Sequence, residues 1–221
     1  MSSEIFSLSL YSKILRTMKR ISIFGLLAVL LFTCCQTREE KADAQIKEAL
    51  MPYLVKPDSY RPVETKLDSA FAPYDNPELL NTLGVLYGKL EEKRGLMDRL
   101  EEKESLMNAW SGGFVTEYSK RRYLGYKEEY DVLNGQYEKL NQKIQLQYAK
   151  VDSLVKVERQ FIGFKATHNF RSDNNDGKTN IGNLFLVFDK DITEVRYIID
   201  ADQFGKLERA LNAYSEEYVG K

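Results

Sequence analysis

The sequence predicts an α+β protein: a small antiparallel sheet of three to four strands with flanking helices, interrupted by a long antiparallel helical hairpin. Three observations predict it. Apolar residues recur in alternating steps of four and three over residues 79–107 and again over 123–154, the signature of paired helices. A turn with two glycines, Gly112 and Gly113, separates these stretches, so they fold back on each other. From Phe161 onward the period shortens to that of strands.

The chain begins with a leader. Lys19-Arg20 precedes residues 21–33, which carry no charge and are almost wholly apolar. A spanning helix needs roughly 20 apolar residues, so this run fits the core of an export signal. Residues 1–33 are the expected signal peptide, with 18–33 its working part. The exit Leu31-Phe32-Thr33-Cys34 resembles a bacterial lipobox, although Phe32 is bulky and Thr33 stands where a smaller residue is usual. Cys34 is the expected lipid acceptor and Cys35 the alternative. Several acyl chains would hold such a chain firmly in a bilayer. An uncleaved signal anchor or a plain secretory peptide is the competing reading. Residues 34–42 form a tether, and the acidic pair Glu39-Glu40 resembles a surface-export signal.

Charge and cysteine usage narrow the function classes. The leader is +3, so the rest carries −4 against −1 for the whole chain. A mildly acidic body lacks the basic face that nucleic acid requires. The only two cysteines are adjacent, which leaves the body no disulfide and no thiol nucleophile. No glycine-rich phosphate loop, zinc-ligand spacing or nucleophile elbow occurs. No cofactor, no metal and no catalysis are expected.

The body reads in order. Residues 43–54 have helical spacing, with Asp43 a plausible cap. Three prolines between Pro52 and Pro62 end that helix. Residues 63–67 alternate as a short strand. The cluster Pro73-Tyr74-Asp75-Asn76-Pro77 starts the hairpin, whose seam runs through Leu79, Leu83, Leu86, Leu90, Met97, Leu100 and Met107, with Lys93 and Glu104 at the missing steps. The second seam runs through Tyr123, Tyr126, Tyr130, Leu133, Tyr137, Leu140, Ile144, Val151 and Leu154, with Gln147 at its gap. Lys93, Glu104 and Gln147 set register whether the helices pair within one chain or between two. Strands follow over 161–171, 181–189 and 194–199. Asp200 or Asp202 then caps a last helix over 202–217. The strand at 63–67 pairs with the later three, so residues 43–72 and 159–221 form the α+β domain and 73–158 an insertion. The helices at 43–54 and 202–217 are expected to cover one face of the sheet.

Two short segments carry a resemblance. Pro57-Asp58-Ser59-Tyr60-Arg61-Pro62-Val63 resembles the "DPxSYEPV" segment of small lipoproteins and secreted proteins of Bacteroidetes-type bacteria. His168-Asn169-Phe170-Arg171-Ser172-Asp173-Asn174 resembles their "HKFRAKN" strand end. The resemblance implies that both segments belong to one small α+β unit. It carries no activity with it.

Candidate sites follow. His168 is the only histidine. As a general base it would need Glu64 or Asp68 to orient it, and no nucleophile accompanies it; a strand residue with a satisfied ring is the expectation. Tyr60, His168 and Arg171 are candidates for binding a glycan or peptide. Ser172-Asp173-Asn174-Asn175-Asp176-Gly177 has calcium-loop character but lacks the bidentate glutamate, and reads as a solvated turn. The tyrosines of the second seam read as core. Trp110 and Phe114 at the hairpin tip either meet a partner or close the hairpin's own end. The expected function is a non-catalytic, lipid-anchored protein of the cell envelope, in the outer membrane, acting as an interaction or spacer module. Its partners are the membrane and an envelope protein. A ligand-binding lipoprotein is the alternative, and a hydrolase the least supported.

Overall fold

The computed structural model describes residues 37–112 and 116–219. The signal segment, Cys34, Cys35 and Phe114 lie outside the described residues. Two units divide between Ala44 and Gln45. The first helix, α1 (Arg38–Leu50), crosses that division. It begins five residues before Asp43, inside the expected tether, because Thr37 and Glu40 form a capping box. The Thr37 amide donates to the Glu40 carboxylate at 2.9 Å, and the Glu40 amide to the Thr37 hydroxyl at 3.2 Å.

The second unit is built on a four-stranded antiparallel meander, β1 (Arg61–Ala72), β2 (Gln160–Asp173), β3 (Thr179–Phe188) and β4 (Val195–Asp200), in that spatial order. This is the α+β class the pattern predicts. β1 runs five residues past Leu67, because Ala70 and Ala72 continue its buried side against β2. Pro62, which has no amide to donate, sits where the β1–β2 register slips. Gly163 permits the second slip. It has φ +148°, and a side chain there would collide with the Phe188 carbonyl.

The hairpin connects β1 to β2, as α2 (Pro77–Trp110) and α3 (Glu117–Val155). Asn76 caps α2 through the Glu78 amide at 2.9 Å, with Pro77 at the first helical position. Thr116 and Ser119 form a capping box on α3. The helices hold 34 and 39 residues, roughly 51 and 58 Å at about 1.5 Å per residue. Gly84, Gly88, Gly95, Gly125 and Gly135 do not break them.

The root of the hairpin shares one core with the sheet and with α4 (Ala201–Tyr214), which Asp200 caps at 2.9 Å. That core joins Ala70 and Val187 of the sheet, Leu79, Leu83 and Leu86 of α2, Ile144, Tyr148 and Val151 of α3, and Leu207, Ala210 and Tyr214 of α4. Removing these apolar groups from water is the main force holding the parts together. Beyond Leu96 and Leu133, no described residue of either hairpin helix is fully buried.

The seam departs from strict heptads at one place. Leu96 is buried and Met97 is 50% exposed. Two successive three-residue steps, Leu90 to Lys93 to Leu96, move the α2 seam back by one residue, a local overwinding. The next polar seam position is therefore Lys103 and not Glu104. Lys103 pairs with Glu129 across the hairpin at 2.7 Å and lies over the Tyr126 ring. Gln147 also yields its place: Tyr148, one residue on, is fully buried.

This register makes a sharp prediction. Leu96→Ala should lower unfolding free energy by about 2–3 kcal/mol, whereas Met97→Ala should cost under ~0.5 kcal/mol. Urea denaturation of the two variants checks it; the reverse ranking would restore the strict heptad.

Candidate functional site

Side chains alternate across β2, and that alternation sorts the candidate residues. Phe164, Ala166, His168 and Phe170 face one way and are buried; Thr167, Asn169 and Arg171 face the other. His168 is 0% exposed. Its Nδ1 is 2.8 Å from the Thr65 hydroxyl, its partner across the β1–β2 ladder, and its Nε2 is 2.9 Å from the Tyr60 hydroxyl. The imidazole lies nearly parallel to the Phe170 ring, 14° apart with centroids at 5.8 Å, and Tyr60 closes the stack at 6.1 Å. Phe170 in turn lies over Gly182, its β3 partner, where a side chain would collide with the ring. Neither Glu64 nor Asp68 reaches the imidazole, since Glu64 pairs with Asn169 and Asp68 with Lys165 on the opposite face. The ring is thus paired at both nitrogens and shut from solvent.

Arg171 is exposed, on the face opposite His168. Three residues of separation along a strand guarantee that outcome. The expected grouping of Tyr60, His168 and Arg171 is therefore corrected: the structure brings Tyr60 to His168 but sets Arg171 apart. The polar turn after β2 uses its own oxygens. Asp173 accepts from Arg61 at 3.1 Å and from the Thr179 hydroxyl at 2.8 Å, Asn174 accepts from the Lys178 amide at 2.9 Å, and Gly177 supplies the positive φ of 76°. Among the described residues, no cluster of His, Cys, Asp or Glu is arranged for a metal ion. The other strand-end carboxylates act locally as well: Asp189 accepts from the amides of Thr193 and Glu194.

At the tip, Trp110 is half-buried and meets Tyr118 edge to face at 5.9 Å and 76°.

The sequence pattern did not reveal a polar cluster where α3 meets α4 and the turn that follows it. Tyr148 of α3 donates its hydroxyl to Glu217 at 2.8 Å, and Glu217 sits in the π-helical turn Ser215–Val219 that continues α4. Lys93 of α2 approaches the same carboxylate at 3.7 Å. Tyr214 donates to Asp152 at 3.1 Å, and Lys156 pairs with Asp152 at 2.7 Å. The rings of Tyr148, Tyr214 and Tyr218 pack together with centroids 5.5–6.0 Å apart. Burial, and then the hydrogen bond to Glu217, pushes the Tyr148 hydroxyl well above the usual phenol range. Burial and the bond to Asp152 push Tyr214 up to about 12. The available signal was a second apolar line on α3, Ile144-Tyr148-Val151, beside the heptad line through Gln147.

Next to this cluster lies an open groove of about 370 Å³ between α2 and α4, floored by Tyr87, Leu90, Met97 and Ala213 and rimmed by Arg94 and Arg209. The Arg209 guanidinium lies over the Tyr87 ring at 5.5 Å. Comparison with family models, curated proteins and solved structures finds no match.

The tyrosine cluster predicts an alkaline limit to stability. Its raised hydroxyls stay protonated in the folded chain where an unfolded tyrosine ionises, near pH 10. Their contribution is fully present below about pH 10 and is lost as pH rises toward and through about 12 for Tyr214. Urea midpoints measured between about pH 9 and 12 should fall steeply, and Tyr214→Phe should flatten the fall. Tyr197, also pushed up by burial, contributes equally in both chains. A slope unchanged by the substitution would show that Tyr214 is not held in this way.

Proposed function

We propose that this chain is a non-catalytic, lipid-anchored protein of the cell envelope whose helical hairpin acts as an interaction or spacer module. The observation that carries the reading is the hairpin itself. Helices of 34 and 39 residues extend well past the last fully buried residues, Leu96 and Leu133. A folded unit needs no such length for its own core. Length that does not serve burial is the natural means of setting a distance or presenting a surface. The anchor half of the reading rests on the leader, the lipobox-like exit and the resemblance of the Tyr60 and His168 segments to small envelope lipoproteins. Among the described residues no helix is long and apolar enough to cross a membrane, which is compatible with attachment through acyl chains. The buried, fully paired His168 supports a non-catalytic role.

Labelling with a radioactive fatty acid tests the anchor. Cys34→Ser should abolish incorporation and release the chain from the membrane fraction, while Cys35→Ser should retain at least half of the label. Equal labelling of the wild type and the double substitution would refute the anchor. Crosslinking in intact cells tests the hairpin: Trp110→Ala should weaken a specific crosslinked partner if the tip makes the contact. If removal of one heptad from each helix also left that partner's yield unchanged, the module reading would fail.

A further inference from the structure

The open groove between α2 and α4 has an apolar floor and charged ends. The two helices run side by side in the same direction: Gly84 lies beside Leu207, Tyr87 meets Lys206 and Arg209, and Lys93 meets Glu217. The floor reaches from Tyr87 through Leu90 to Met97, about 15 Å at ~1.5 Å per residue. Met97, passed over by the seam at Leu96, is 50% exposed there.

Charge along this floor is balanced in the middle and unbalanced at the ends. In the middle, Glu91 pairs with Arg94 at 3.2 Å and Lys93 with Glu217 at 3.7 Å. At the Tyr87 end, Lys206 and Arg209 both lie over the Tyr87 ring, 5.8 and 5.5 Å from its centroid. Residues three apart on a helix are neighbours, and like charges so placed repel. The negative face of the ring offsets part of that repulsion, but neither cation forms an ion pair among the described residues. At the other end Asp98 lines the groove and also forms no ion pair among the described residues. The groove thus presents two cations, an apolar strip and one anion, in that order. An acyl chain would cover the strip but would set hydrocarbon beside Asp98 and the Glu91–Arg94 pair, stripping water from charges it cannot replace. A peptide helix carries polar and apolar groups along one side and meets each part of the pattern.

We propose that this groove docks an amphipathic helix of a partner protein, acidic at the end that meets Lys206 and Arg209, apolar over Leu90 and Met97, and basic at the end that meets Asp98. A carboxylate placed between Lys206 and Arg209 relieves their mutual repulsion while accepting from both. The contact is short and its charges stay close to water, so binding is weak and screened by salt. The site lies at the root of the hairpin, and it stands apart from both the lipid anchor and any contact at the tip.

Fluorescence anisotropy of a labelled synthetic helix against the purified full chain tests it. The probe is an acetylated, amidated peptide of about 15 residues, with glutamates in its first turn, leucines along one face and lysines in its last turn. The expected Kd is on the order of 10–100 µM. Combining Lys206→Glu with Arg209→Glu should weaken it about tenfold, with the circular dichroism unchanged. The same double variant should bind a second peptide, whose glutamates are lysines, about tenfold more tightly than the wild type does. No saturable binding up to about 1 mM overturns the proposal, and so does binding indifferent to the reversal. Two other outcomes also overturn it. Dodecanoate bound with that charge dependence, where the peptide shows none, would give the groove to an acyl chain; a dimer of the chain abolished by the reversal would give it to a second copy.

Discussion

The burial of Tyr148 is the constraint on which the rest of the second unit depends. Its ring lies where α3, α4 and the turn after α4 converge, and it is fully shut from solvent. A phenol can occupy that place only if its hydroxyl finds an acceptor, and Glu217 supplies one. Lys93 balances the carboxylate from α2. One side chain thus ties both hairpin helices and the C-terminal segment to a single point. The alternative heptad residue, Gln147, would place an amide there with no ring to fill the volume. The hairpin root is consequently part of the domain core and not an appendage to it.

That dependence explains which features were legible in the sequence. The hairpin was legible because two heptad series flank a glycine turn, and folding back on each other buries both seams. The meander was legible because dense apolar runs alternate with Asn, Asp and Gly at the turns. The single-residue shifts, Met97 to Leu96 and Glu104 to Lys103, were not. Leu96 and Met97 are both apolar, and the choice between them depends on which one joins the shared core, a matter of packing between elements distant in sequence. The length of β1 was hidden because Ser69, Ala70 and Ala72 have little strand propensity; pairing with β2 overrides it.

The candidate site divides in the same way. That His168 would be satisfied within the sheet was the expected outcome, yet its partners, Tyr60 and Thr65, come from a segment more than 100 residues earlier in the chain. Strand alternation alone separates Arg171 from His168, so that part was open to sequence reasoning. The tyrosine cluster was not, since Glu217 and Asp152 look like ordinary surface carboxylates until the helices are packed. Exposed apolar residues occur on the hairpin, with Met97 in the groove beside α4 and Leu124 and Leu146 on α3, and equally on the sheet and its approaches, Tyr53, Val63 and Ile181 among them.

The central claim is that sheet, hairpin root and C-terminal helix form one cooperative unit through the core around Tyr148. Native-state hydrogen exchange measures this directly. Amides of α3 near Tyr148, of α4 near Tyr214 and of β3 near Val187 should open with the same free energy and the same denaturant dependence, equal to those of global unfolding. Amides near Tyr123 should exchange through a cheaper, local opening. If the α3 root opened independently, with the sheet still protected, the hairpin would be a separate folding unit and the single shared core would be contradicted.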